Sequence, residues 1–253
     1  MSTPVTSADL TAVVTGGSGG IGSAICARLA RDGYRVVVGA GSNLDRAKSV
    51  ASKLDGVGHD AITLPVTDSE ALINAADQIG RDYGKVDLLV NCAGTTEPVP
   101  HDDLDSLTDD IIDHIFATNW RGPFAMVRAF RPLMEKAGAP VVVNISSIAG
   151  VTGQGSNVAY CASKAALDSM TRSLARALAP KIRVLSVSPG WVLGEYASRF
   201  TAEYIQTQTE QTPLNQLAVP DDVAAAVSVA ARELVLTTGS IIPVDGGRPL
   251  GVN

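Results

Sequence analysis

Thr15-Gly16-Gly17-Ser18-Gly19-Gly20-Ile21-Gly22 stands between two kinds of sequence. Before it, Ala12-Val13-Val14-Thr15 is a short apolar, β-branched run of the kind that forms a strand. After it, Ile21, Ile25 and Leu29 recur at i, i+4 and i+8, the stripe of an amphipathic helix. A glycine-rich turn from a strand into a helix brings bare backbone close to a ligand. The first-turn N–H groups and positive dipole end of the helix then favour an anion such as pyrophosphate. Gly17, Gly19 and Gly22 satisfy G-x-G-x-x-G, and Gly16, Gly20 and Gly22 satisfy T-G-x-x-x-G-x-G. Either pattern alone reads equally as a flexible turn. Its place between strand and helix makes it a candidate phosphate cradle.

The same alternation continues outward from this turn. Further short apolar runs lie at Arg35–Val38, Ala61–Leu64, Val86–Val90, Val141–Ile145, Ile182–Val187 and Ile241–Val244. Several are continuously apolar, as strands buried on both faces of a parallel sheet are. Between them lie helical patterns, such as Ala166, Met170, Leu174 and Leu178, with Gly33 and Gly56 expected to close helices. A helix is expected over Leu104–Phe116. The order predicts the α/β class: a single-domain doubly wound parallel sheet, Rossmann-like and flanked by helices, over residues 1–253. The mixed segment 191–217 follows Pro189-Gly190 at a strand end, where such sheets place substrate-covering elements. It reads as a lid, with an ordinary surface connection as the alternative.

Composition narrows the function classes. The net charge is −6 with no Lys/Arg cluster, which argues against nucleic acid as a partner. The three cysteines, Cys26, Cys92 and Cys161, are too far apart for a disulfide scaffold or a zinc site, and His59, His101 and His114 have no ligand spacing, so no metal is expected. The segment MSTPVTSADL lacks the basic and apolar regions of a signal peptide. The uncharged stretch Ala137–Ser163 is broken by glycines and amides, so no membrane span is expected and a cytoplasmic location is the default.

The end of the second strand bears on the choice of dinucleotide. A ribose 2′-hydroxyl is usually held by an acid about 20 residues past the glycines. Here the sequence reads Val38-Gly39-Ala40-Gly41-Ser42-Asn43, with no acid. A carboxylate there would repel a 2′-phosphate, whereas Ser42, Asn43 and Arg46 offer donors and a positive charge. NADP(H) is favoured, with NAD(H) the alternative.

A second constellation lies at the start of a strong helical pattern, where Tyr160 and Lys164 stand at i and i+4 on one face. A free phenol ionises near pH 10. An ammonium about 4 Å away contributes up to ~4 kcal/mol at an effective dielectric of ~20, or roughly three pKa units. That would make Tyr160 a suitable general acid near neutrality. The plainer reading is a core tyrosine and a lysine paired with Asp168. Against it, Asn144-Ile145-Ser146-Ser147 ends a buried strand thirteen residues before Tyr160, which puts the Ser147 hydroxyl at a strand's carboxyl end.

With these residues in view the chain resembles the short-chain dehydrogenase/reductase family over essentially its full length. The matching pieces are TGGSGGIG (15–22), NCAG (91–94), Asn119 within FATNWRGPF, NISS (144–147), YCASK (160–164), SPG (188–190) and VDGG (244–247). The stretch from Val14 to Arg46 is similar to NADPH-dependent acetoacetyl-CoA reductases and 3-oxoacyl-carrier-protein reductases. The resemblance implies a catalytic tetrad of Asn119, Ser147, Tyr160 and Lys164: Ser147 orients the carbonyl, Tyr160 protonates it, Lys164 lowers the phenol's pKa and binds the nicotinamide ribose, and Asn119 supports a water relay. It also implies that the cofactor lies against Gly16, Ser18, Gly19, Gly20, Ile21 and Gly22, then Gly41, Ser42, Asn43, Arg46 and Val66. Asn91, Ala93, Gly94, Tyr160, Lys164, Pro189, Gly190 and Val192 complete the implied contacts. Four positions depart from the family pattern: Cys92 in place of Asn, Pro65-Val66 where an Asp commonly meets adenine, Gly194 where a Thr is usual, and Gly19 where some NADP-dependent members carry a basic residue.

The expected activity is hydride transfer between NADP(H) and a carbonyl or secondary alcohol on a small molecule, with a 3-oxoacyl thioester the specific candidate. The alternatives are a dehydrogenase of a sugar, polyol, steroid or aromatic alcohol, and a dinucleotide-binding regulator without turnover. Substrate choice is expected to lie in residues 95–103, 150–157 and 191–217, with Trp191, Tyr196, Phe200 and Tyr204 either an apolar wall or lid packing. Cys161 reads as small filler. The resemblance also implies a homotetramer or homodimer.

Overall fold

The structure, a computed structural model, describes residues 10–194 and 197–251. The chain alternates strand and helix as its sequence predicts. In order it runs β1 (Leu10–Thr15), α1 (Gly20–Arg31), β2 (Tyr34–Ala40), α2 (Leu44–Ala51), β3 (Asp60–Thr63), α3 (Ser69–Tyr83) and β4 (Leu88–Asn91). Next come α4 (Asp109–Phe116), a π-helical turn (Ala117–Arg121), α5 (Gly122–Met134), β5 (Val141–Ile145), α6 (Ala149–Thr152) and α7 (Val158–Leu178). The last part holds β6 (Arg183–Pro189), α8 (Ala202–Glu210), α9 (Pro220–Arg232) and β7 (Ile241–Val244), with 3-10 turns at Ala197–Arg199 and Arg248–Leu250. Strand limits fall within two residues of those expected from sequence.

Seven strands form one sheet in the order β3-β2-β1-β4-β5-β6-β7. All the pairings are parallel. Alternate residues of each strand feed two separate cores. Val14, Val38, Val90 and Val143 pack with α1 and α9 on one face. Val13, Val37, Leu89 and Val142 pack with α3 and α5 on the other. Burial on both faces is why the runs read as continuously apolar. The chain leaves β1 for β2 on one side and returns through α3 to β4 on the other. The connections that follow β1 and β4 therefore turn to opposite faces of the sheet and leave a crevice above these paired strand ends, where doubly wound sheets bind their ligands.

Two expectations need correction. The helix expected over Leu104–Phe116 begins at Asp109, because the Thr108 side chain caps it by accepting the Ile111 N–H. Leu104 lies before it, exposed, so its apolar character signals no core position. Gly33, with φ of +91°, does follow the end of α1, but Gly56 lies beyond the end of α2, which Ser52 caps after Ala51.

Candidate active site

The turn after β1 is built almost entirely of backbone. Gly16 has φ of +62° and its carbonyl accepts the Gly19 N–H at 3.0 Å. A Cβ on Gly22 would stand 2.1 Å from that same carbonyl oxygen, and one on Gly16 would stand 2.9 Å from Ala93 Cα. The Thr15 hydroxyl accepts the N–H groups of Cys92 and Ala93, both at 3.1 Å, so it ties the ends of β1 and β4 together. The outward positions contrast with this interlocked interior. A Cβ on Gly20 or Gly41 would meet no protein atom within 4 Å. No side chain caps the first turn of α1. Bare glycine surface beside an uncapped helix N-terminus is a cradle that fits the pyrophosphate of a dinucleotide.

At the end of β2, Ala40 and Gly41 lead to Ser42 and Asn43 with no carboxylate; the first acid is Asp45, beside Arg46 in the first turn of α2, and Gly41, Ser42, Asn43, Asp45 and Arg46 are all exposed. The Asn43 side chain accepts the Arg46 N–H at 2.9 Å and so serves as the cap of α2. Val66 packs against Gly122, where an added Cβ would come within 3.0 Å of it. Asn91 is buried, and its amide donates to Asn144 Oδ1 at 2.8 Å, between the strands. Cys92, the departure beside it, carries a thiol that burial pushes up to about 12, so it is a neutral filler near neutral pH.

The reaction end is built of side chains. Tyr160 and Lys164 share one face of α7, and the Lys164 ammonium lies 5.7 Å from the centre of the Tyr160 ring. Its Nζ donates to Ile145 O at 3.0 Å, at the end of β5. The pairing with Asp168 considered from sequence is therefore not the contact Lys164 makes. Burial pulls its pKa down to about 8, with the nearby Asp168 carboxyl opposing the shift. Ser147 is half-buried just past β5, and its Oγ accepts the Ala149 N–H at 3.2 Å. A hydroxyl that accepts one bond still has its own hydrogen to donate.

Asn119 sits in the π-helical turn, a device that frequently marks functional sites. Its Oδ1 accepts the Thr95 N–H at 2.8 Å. Its Nδ2 donates to Thr95 O at 2.9 Å and to Ser163 Oγ at 3.1 Å. Gly94 closes the group, since a Cβ there would lie 3.4 Å from Asn119 Oδ1 and 3.7 Å from Lys164 Nζ. The structure thus brings Asn119, Lys164 and Gly94 together with Tyr160. The sequence reading missed the clamp on Thr95, the role of Ser163, and Asn157, which caps α7 by accepting the Tyr160 N–H at 2.7 Å. An asparagine three residues ahead of Tyr160 and just before the helical pattern was the available signal for that cap.

The remaining walls are loops. Residues 95–101 run beside the segment before α7, and a cleft of about 260 Å3 opens between Thr95–Glu97 and Asp110, Ile111, His114 and Ile115 on α4. After the end of β6, Trp191, Phe200 and Tyr204 pack ring against ring, with centroids 4.8–5.6 Å apart. Tyr196, expected with them, lies outside the described residues. Among the described residues no group of three or more His, Cys, Asp or Glu is placed to hold a metal, and no helix is long and apolar enough to cross a membrane.

The chain is similar to known proteins over most of its length. The family model for the short chain dehydrogenases matches residues 10–204. The chain is 36% identical to ketoacyl reductase 2 of the granaticin polyketide synthase from Streptomyces violaceoruber, over 94% of this chain and 96% of that one. It is 32% identical to an acetoacetyl-CoA reductase from Cupriavidus necator, over 95% of this chain and 98% of that one. A crystal structure of a short-chain dehydrogenase/reductase from Burkholderia xenovorans superposes with a TM-score of 0.88 at 32% identity, covering 97% of this chain and 100% of that one. On these matches the chain belongs to the short-chain dehydrogenase family, oxidoreductases of alcohol and carbonyl groups that use a nicotinamide dinucleotide.

Proposed function

We propose that this protein is an NADP(H)-dependent ketoreductase whose substrate is a 3-oxoacyl thioester or a ketone of similar reach. The observation that carries the reading is the placing of the Lys164 ammonium, buried and bonded to the end of β5, against the Tyr160 ring. The glycine turn at Gly16–Gly22 would hold a nicotinamide dinucleotide, which would supply the hydride when bound. Tyr160 gives its phenolic proton to the carbonyl oxygen, and the Lys164 charge stabilises the phenolate left behind. Ser147 keeps its hydroxyl hydrogen for the same oxygen. Both amide hydrogens of Asn119 are already bonded, to Thr95 and Ser163, so its side chain acts by holding the loop. Any part it takes in a water relay falls to its backbone. Preference for NADP(H) is supported by the absence of a carboxylate at the end of β2 and by Arg46 and Ser42 nearby. The thioester is supported by the names of the two curated relatives.

The chain is read as one domain with 191–217 as its lid, which the packed Trp191, Phe200 and Tyr204 rings stiffen. Assembly as a homotetramer or homodimer is supported by Trp120, Phe124 and Val158, large apolar side chains left 37–45% exposed on or beside α5 and α7. The test is loss of absorbance at the reduced-nicotinamide band with acetoacetyl-CoA and a panel of ketones. Turnover is expected with NADPH, and fastest with the thioester. Clear NADPH binding without turnover of any carbonyl would establish the regulator reading instead.

A further inference from the structure

Two loops that lie about sixty residues apart in sequence are bonded side by side at the reaction end. Asn157 is buried at their junction. Its Oδ1 accepts the Tyr160 N–H at 2.7 Å, while its Nδ2 donates to Glu97 O at 2.6 Å and lies 3.5 Å from Thr96 Oγ1. The hydroxyls of Thr96 and Ser156 are bonded to each other next to it. Further along, Val99 N–H donates to Ser156 O at 2.9 Å, and His101 Nε2 donates to Gly155 O at 3.1 Å. From the other side Asn119 grips both backbone groups of Thr95 and reaches Ser163, whose hydroxyl donates to Tyr160 O at 2.8 Å. The peptide N–H and C=O of Tyr160 are thus each linked, through side chains, to the 95–97 segment.

A helix cap needs only an acceptor, which Ser, Thr or Asp supplies as well as Asn. The donor half of the Asn157 amide contributes nothing to the helix. It goes instead to the Glu97 backbone carbonyl, in the loop that walls the site. We propose that Asn157 is a positioning residue that joins Tyr160 and the 95–101 loop into one unit, its oxygen seating the tyrosine and its NH2 group seating the loop. This goes beyond the ketoreductase reading while resting on Tyr160 as its proton donor. Substrate pressing on the loop then bears directly on where the phenol sits.

Because the two ends of the amide do different work, two variants separate them. Asn157→Asp keeps the acceptor for Tyr160 and loses the donor to Glu97, whereas Asn157→Ala loses both. Hydrogen–deuterium exchange would be read on the segments 95–101 and 158–162, alongside kcat and KM. In Asn157→Asp the loop amides are expected to exchange about five- to tenfold faster while 158–162 keeps its rates, with KM for the carbonyl substrate raised by about the same factor and kcat unchanged. In Asn157→Ala both segments loosen and kcat falls as well. If the two variants loosen the segments alike, or if Asn157→Asp leaves the loop's exchange and KM untouched, the coupling does not exist. Should Asn157→Ala fail to fold, Asn157→Asp decides alone. The exchange pattern needs no turnover, so a parent protein that reduces nothing would sink the ketoreductase reading while this inference is still judged on its own data.

Discussion

The two ends of the crevice are made of different material. The turn at Gly16–Gly22 is backbone against backbone, with clearances so tight that a single methyl group at Gly22 would overlap the Gly16 carbonyl. The end around Tyr160 is side chain against backbone, held by the amides of Asn119 and Asn157 and the hydroxyl of Ser163. A site made of backbone is inseparable from the fold that shapes it. A site made of side chains can lose one function and keep its architecture.

Substitutions on either side sharpen that contrast, and the largest effect belongs to the reaction end. Tyr160→Phe removes one oxygen and is expected to lower kcat about 10²- to 10⁴-fold while cofactor affinity and melting temperature stay near parental values. A variant that kept its turnover would take Tyr160 out of the acid role. Gly22→Ala should do the opposite, losing stability by about 1–3 kcal/mol in denaturant titration and cofactor affinity with it. Gly20→Ala, two residues away but facing open space, should stay within about 1 kcal/mol of the parent and still weaken the cofactor roughly tenfold. If the two glycine variants behaved alike, the division between interlocked interior and open cradle would be wrong.

The next effect is on pH. Burial lowers the Lys164 pKa to about 8, so the ammonium is present below that value and is lost above it. Carbonyl reduction should therefore decline as pH rises through about 8, and in Lys164→Arg, which stays charged, that decline should move to higher pH. A reduction rate that climbed steadily from pH 7 to 9 would contradict the charge's role. The smallest effect is at Arg46, exposed on α2. Arg46→Ala should weaken NADPH by about fivefold or less, as expected for a solvent-screened contact, and NADH hardly at all. Equal loss of both would remove Arg46 from the 2′-phosphate.

Much of this was legible in the chain itself. Val141–Ile145 and the glycine turn stand where their patterns place them, and Tyr160 and Lys164 share a helix face because a spacing of four residues is little more than one helical turn. The start of α4 is not legible in the apolar residues, because the Thr108 side chain decides where the helix begins. The π-helical turn around Asn119 leaves no mark in hydrophobic spacing. The pairing of Thr96 with Ser156, and of Asn157 with Glu97, depends on how the 95–101 loop comes to lie beside the start of α7.

Local physics accounts for what the amino-acid order alone determined: apolar periodicity sets strands and helices, and the absence of a Cβ permits the Gly16–Gly22 turn, since both act over a few neighbouring residues. Tertiary structure alone decided that the Lys164 ammonium bonds Ile145 rather than Asp168, that burial brings its pKa to about 8, and that the Asn157 amide divides between Tyr160 and Glu97. Those outcomes arise from packing between segments distant in the chain, where desolvation and hydrogen-bond geometry follow from the surroundings each side chain meets.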